Sequence, residues 1–290
     1  MKKYVYLILC SVLAGCTHES PSFPLDVGER PESITKGFDG KLFVTVMNGR
    51  ESGDAVVKVI DGTSVVDFTA GLDEPKGICF VGDFLVLTDL TTVWKIDSKG
   101  KKTVLAGKDD FPVEIRYLND IVVAPEGDAV YVTDMGDRSK MLVDGKLNNP
   151  DTQVEPYGRV FKIMLDGTVS IEIDTSDKMP NPNGVGIAND GSILVGAFLR
   201  GNVLQRQADG SLKALTSGVQ GADAVEQGDD GYFYTSSWSQ GKVWRIDGET
   251  GEKTVLIDGL QSAADFYLDE PGKRILVPDM FGGKIYEVKL

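Results

Sequence analysis

Six polar residues recur at nearly the same point of a repeated motif: Glu32, Lys76, Asn119, Asn183, Asp223 and Asp265, separated by 44, 43, 64, 40 and 42 residues. They sit in the short segments PESI, PKGI, LNDI, PNGV, GADAV and AADF. Three carboxylates, two amides and one ammonium make a poor apolar core but a usable polar site. If folding brings them to one place, the carboxylates repel one another and lose hydration, so either a bound cation or Lys76 must balance them. Oxygen-only donors suit a hard divalent cation, calcium first, with magnesium or manganese as alternatives. Zinc of the usual protein type would want histidine or cysteine. The single histidine, His18, lies close to the N-terminus, which excludes a Ser-His-Asp triad, a Cys-His pair and a histidine-bound metal from the folded domain.

The elements that must position these residues are also repeated. VWKIDSKGKKTVLAG, residues 93–107, returns as VWRIDGETGEKTVLIDG, residues 243–259. Each lead segment is followed by an acidic or glycine turn (FDGK, PEGD, NDGS, DDGY) and then by a β-rich run: KLFVTV, FLVLTD, AVYVTD, SILVGA, YFYTSS or RILVPD. A third run follows, as in VVKVIDG, VWKIDSKG and IYEVKL. Period-two alternation bounded by Asp-Gly turns predicts antiparallel hairpins, and the apolar runs are too short for average helices. Six units of about 40 to 45 residues, each a four-stranded antiparallel sheet, predict an all-β six-bladed β-propeller over residues 22–290. The last unit stops after three strands. Residues 22–29 align with the missing outer strand, so the N-terminal strand should pair with the C-terminal blade and close the ring. Trp94 and Trp244, at one repeat position, are expected to pack between blades. The long interval holds about twenty extra residues, 134–159, between the second and third strands of blade three, readable as a lid or as a polar surface excursion with little apolar content.

The first residues have another purpose. Lys2 and Lys3 precede an apolar core, residues 4–13, too short for a comfortable membrane span. Leu13-Ala14-Gly15-Cys16 resembles the lipobox of bacterial lipoproteins, which implies a signal peptide of residues 1–15, lipidation of Cys16 and a tether over residues 16–21. Thr17 is not the aspartate that retains enterobacterial lipoproteins at the inner membrane. The expected location is the outer membrane, with the domain facing the periplasm or the cell exterior. Lys2 and Lys3 leave with the signal and no acid does, so the net charge moves from −14 to −16. That acidity argues against nucleic acid or anionic headgroups as partners, leaving the lipid as the only membrane contact. Cys79, in the apolar run ICF, reads as a buried side chain, and no intrachain disulfide is available after processing.

The lead segments and blade spacing resemble the gluconolactonase and senescence marker protein (regucalcin) family of six-bladed calcium-dependent propellers. The resemblance covers essentially the whole mature chain. It implies metal ligation by Glu32 of PESI, Asn183 of PNGV and Asp223 of GADAV, with Asn119 of LNDI beside the substrate. Arg116 stands three residues before Asn119, where family members often place a substrate-binding arginine two before. Lys76 would orient a substrate carbonyl or carboxylate, or replace the metal. The implied activity is metal-dependent hydrolysis of lactones or similar cyclic esters, with Asp223 or else Asp265 as general base and a small molecule bound at the channel mouth. Asp120 could serve a second structural ion, as in the distantly related paraoxonases, or cap a strand turn. PKGICFVGDFLVLTD also resembles NHL-type repeats, which implies the alternative of a non-catalytic binding or scaffold lipoprotein.

Overall fold

Each Asp-Gly or glycine turn reverses the chain, and the following segment pairs back on the one before it. In the computed structural model, which describes residues 21–49, 51–144, 146–148 and 158–290, these pairs build six four-stranded antiparallel sheets. The expected export signal (residues 1–15), Cys16 and His18 lie outside the described residues. The innermost strands are Pro31–Lys36, Pro75–Val81, Leu118–Val123, Pro182–Ile187, Ala222–Gln227 and Tyr267–Asp269, one per blade, arranged around a central channel. The protein is a six-bladed β-propeller. Blade six takes its outer strand from the N-terminus, where Leu25 pairs with Ile285 and Asp26 with Lys284.

Six apolar clusters hold the ring, one at each blade-to-blade interface. Val44, Val46 and Ile60 of blade one meet Leu276 and Ile285 of blade six, so the closing interface is packed like the others. Trp244 is buried between blades four and five, and Trp94 packs between blades one and two with its indole N–H donating to Asp89. Both tryptophans are inter-blade packing. Cys79 is buried between blades two and three, and burial holds its thiol far above the usual range.

One backbone irregularity governs the channel. In blades one to five the first and second strands slip by a residue: Pro31 faces Val46, Ile34 faces Val44, and Glu32 and Ser33 share the single partner position of Thr45. Such a bulge breaks the alternation, so consecutive side chains can both face the channel while aiming at different ends. Second-strand hydroxyls bind the freed backbone groups. Thr45 accepts from Ser33 N–H (2.9 Å) and donates to the carbonyl of Lys76 (2.8 Å), and Thr133 accepts from Asp120 N–H (2.9 Å) and donates to the carbonyl of Asn183 (2.6 Å). Thr88 donates likewise to the carbonyl of Asn119. Each hydroxyl therefore fixes the lead residue of the next blade.

The aspartates that end three second strands have a related role. Asp134 accepts the backbone N–H groups of Arg116, Tyr117 and Gly136, and Asp279 accepts those of Gln261, Ser262 and Gly282. Asp89 does the same for Asp73 and Glu74. The TD and PD endings thus satisfy the backbone of the loops leading into the channel.

Candidate functional site

Glu32, Lys76, Asn119, Asn183 and Asp223 come together at one mouth of the channel, on the floor of a cavity of about 230 Å3. The bulges aim them there, and the ring buries them: Glu32 is 2% exposed, Lys76 4%, Asn183 3% and Asp223 1%. The Lys76 ammonium stands 3.8 Å from Glu32 Oε1 and 5.6 Å from the centre of the Tyr117 ring. One ammonium cannot neutralise two carboxylates. Burial raises the pKa of Glu32, partly offset by Lys76, and burial with the Glu32 charge pushes Asp223 well above the ordinary carboxylate range, although Asn183 donates a hydrogen bond to it.

Three buried oxygens at this floor have no hydrogen-bond partner: Glu32 Oε2, Asn183 Oδ1 and Asp223 Oδ1. Acceptors buried without a donor are costly, and these three belong to the residues that the resemblance nominates as ligands. The donor set fits a hard cation with oxygen ligands. Among the described residues no group of three or more His, Cys, Asp or Glu side chains is placed to hold a metal; the unpartnered oxygens that meet here belong to two carboxylates and an amide.

Asp265 is not at this mouth. Ala264 occupies the matching position in blade six, and Asp265 aligns with Ser33 and Asp120, the residues on the other side of the bulge. Its side chain faces the opposite cavity, about 440 Å3, together with Asp120. Ser33 Oγ donates to Asp265, and the carboxyls of Asp265 and Asp120 are hydrogen-bonded to each other. Asp120 also accepts from Ile121 N–H (2.6 Å) and Val185 N–H (2.7 Å), so it fastens blade three to blade four.

This pair carries a prediction. Burial, then the charges nearby, holds both carboxyls well above their usual range. The folded chain keeps protons here that the unfolded chain releases near pH 4. Stability from this source is complete below that range and falls as pH rises towards the folded pKa, by about 1.4 kcal/mol per pH unit for each proton involved. Asp265→Asn keeps an acceptor for Ser33 and removes a titrating group, so it is expected to exceed the wild type in stability at pH 8 and to flatten the decline. Urea unfolding at pH 4.5 and pH 8 measures this, and a variant less stable than wild type at pH 8 would contradict it.

Arg116 does not line the mouth. Asp134 pins the backbone of both Arg116 and Tyr117, turning Tyr117 inward and leaving Arg116 at the surface, 3.5 Å from Asp137 and 4.0 Å from Glu114. The arginine that reaches the cavity is Arg138, from the blade-three insertion. It is held at 2.8 and 2.7 Å by both oxygens of Glu74, which also accepts from the Tyr117 hydroxyl (3.1 Å), and it covers the Tyr117 ring. The insertion is not a plain surface excursion: Ser139, Met141 and Leu142 join the cavity wall, and Leu147 packs on the same apolar cluster.

The remaining wall comes from a second ring that the sequence reading passed over, of which Met135, Phe198, Trp238 and Met280 line the cavity. The residue directly after each second strand is Met47, Leu90, Met135, Phe198, Trp238 or Met280, and all six belong to the two apolar clusters at this mouth. The signal was available: six large apolar residues at one repeat position, just past the TV, TD, GA, SS and PD endings.

No protein-family model matches the sequence, and no curated protein matches it. Solved structures do. A gluconolactonase from Xanthomonas campestris superposes with a TM-score of 0.70 at 16% identity, covering 92% of this chain and 88% of that one. A luciferin-regenerating enzyme gives 0.64 at 13% identity over 92% of each chain. A chain of the nidogen/laminin complex gives 0.62 at 17% identity, over 80% of this chain and 81% of that one. The fold is that of the gluconolactonase-type six-bladed propellers; at these identities the likeness speaks for architecture, and the chemistry rests on the mouth itself.

Proposed function

We propose that the chain is a divalent-cation-dependent hydrolase of small lactones or similar cyclic esters, anchored through Cys16 as a lipoprotein facing the periplasm or cell exterior. The observation that carries this reading is the trio of unpartnered buried oxygens on Glu32, Asn183 and Asp223. A calcium ion held by them would polarise the ester carbonyl and acidify a water molecule. With the cation offsetting the Glu32 charge, Asp223 would be ionised and would accept the proton of the attacking water, its buried position giving the carboxylate a higher proton affinity than an exposed one. Lys76 supplies positive charge towards the developing oxyanion, and Asn119, whose amide N–H now donates to Met135 Sδ, turns to the substrate carbonyl. Asp265 has no part in this step, because it serves the other end of the channel.

The test is metal content and a melting curve on the soluble domain from Thr17 onward, purified without chelator. One retained calcium per chain is expected. Removal by EDTA and restoration at about a hundred times the Kd should recover roughly 2.7 kcal/mol, or about 5 °C to 10 °C in a domain of this size. No retained divalent ion and no shift would end the metal-dependent reading.

A second reading is favoured by one observation, the Lys76 ammonium 3.8 Å from Glu32. If that lysine serves as the site's permanent cation, the propeller is a binding or scaffold lipoprotein whose mouth holds a ligand without cleaving it. The same metal analysis and melting curves separate the two.

A further inference from the structure

We infer that the ligand of this mouth is a small lactone bearing an apolar substituent rather than a polyhydroxylated sugar lactone. The inference rests on the hydrolase reading for the word lactone, and on the cavity wall for the substituent.

The floor is polar, but the wall above it is not. Met135, Phe198, Trp238 and Met280, one each from blades three to six, face the cavity, and the insertion adds Met141 and Leu142. The polar atoms interleaved with them are already engaged. Trp238 Nε1 donates to Met280 Sδ (3.2 Å), the Ser139 hydroxyl to Asp137 (2.6 Å) and the Tyr117 hydroxyl to Glu74 (3.1 Å). Arg138 is clamped by the same glutamate. A sugar lactone, with three ring hydroxyls and a hydroxymethyl group, would lose its water on entering and find few free partners along the wall, and unpaired hydroxyls are heavily penalised. An alkyl or aryl substituent meets thioethers and aromatic faces instead, surfaces that adapt to varied apolar shapes.

The rim continues this character. Phe281 is 49% exposed and stacks edge-on against Trp238 at 5.3 Å, and Leu142 is 37% exposed. An exposed aromatic ring beside the cavity extends the apolar path outwards from the polar floor. The lactone carbonyl then reaches Glu32, Asn183 and Asp223 while the substituent stays against the wall.

The experiment compares kcat/KM of the calcium-loaded domain for δ-valerolactone, δ-octalactone, δ-decalactone and D-glucono-δ-lactone. Tryptophan fluorescence is titrated in parallel with the matching hydrolysis-resistant lactams. Each added methylene is expected to raise kcat/KM by about threefold to fourfold until the cavity is full, the free energy of burying one such group. The sugar lactone should lie at least tenfold below δ-octalactone. Trp238→Gln should reduce the δ-decalactone to δ-valerolactone ratio by about tenfold.

Preference for the sugar lactone overturns the inference and leaves the hydrolase reading standing. If no lactone is turned over, the lactams decide. Quenching by the alkyl lactam and not by the sugar lactam sustains the apolar ligand class while the hydrolase reading falls. Binding of the sugar lactam, or of neither, overturns it.

Discussion

Asp223→Asn is expected to reduce lactone turnover by about a thousandfold or more, roughly 4 kcal/mol in the barrier, while leaving the propeller folded. The substitution is nearly isosteric, and the carboxylate it replaces has one oxygen with no partner and a charge pushed towards protonation by burial and by Glu32. An amide there removes a proton acceptor and a charged cation ligand together. It also relieves the repulsion with Glu32, so without calcium the variant should melt at or above the wild-type temperature. The calcium-dependent rise in melting temperature should vanish. Turnover and melting curves, each with EDTA and with calcium, provide the measurement. Unchanged turnover would remove Asp223 from the chemistry, and a variant that loses activity only because it unfolds would be exposed by its melting curve.

Gly184→Ala is expected to cost more than about 4 kcal/mol of stability, enough to prevent folding at growth temperature in a domain of ordinary stability. A Cβ at this position would lie 1.6 Å from the carbonyl oxygen of Asp223 and 2.8 Å from its carbonyl carbon. Both are backbone atoms of the neighbouring blade, so no rotamer change relieves the overlap; the two inner strands must separate. Gly77 meets Asp120 Cα at 2.7 Å in the same structural position of blade two. The residues at this point of the ring are Ser33, Gly77, Asp120, Gly184, Ala224 and Asp265, and the small ones leave the width that Asp120 and Asp265 occupy. Expression of soluble protein and urea unfolding give the measurement, and a loss of under 1 kcal/mol would mean that the inner strands are less tightly apposed than these distances indicate. Because Asp223 supplies the carbonyl, the glycine of PNGV also sets where the Asp223 side chain stands.

The sequence and the structure agree most closely where the determining interaction is local. Strand alternation and the Asp-Gly turns are properties of adjacent residues, so six four-stranded blades and the closing strand at residues 22–29 were legible, as were the packing of Trp94 and Trp244 and five of the six lead residues at one mouth. Asp265 was misplaced by a single position. Which of two adjacent residues faces which end depends on the bulge opposite the second strand, and in blade six the lead residue is Ala264, with Asp265 standing level with Ser33 of the neighbouring inner strand. Arg116 failed for a related reason: its backbone is pinned by Asp134 from another strand, and the side chain follows.

The chain by itself thus determined the repeat, the fold and a polar ring suited to an oxygen-ligated cation, because period-two patterning and turn chemistry act over a few residues. Tertiary structure alone decided which carboxylates share a mouth, that Arg138 rather than Arg116 reaches it, and that the insertion helps to wall it. Those outcomes depend on bulge register and on contacts between residues far apart in the chain, such as Arg138 with Glu74, which no local pattern encodes.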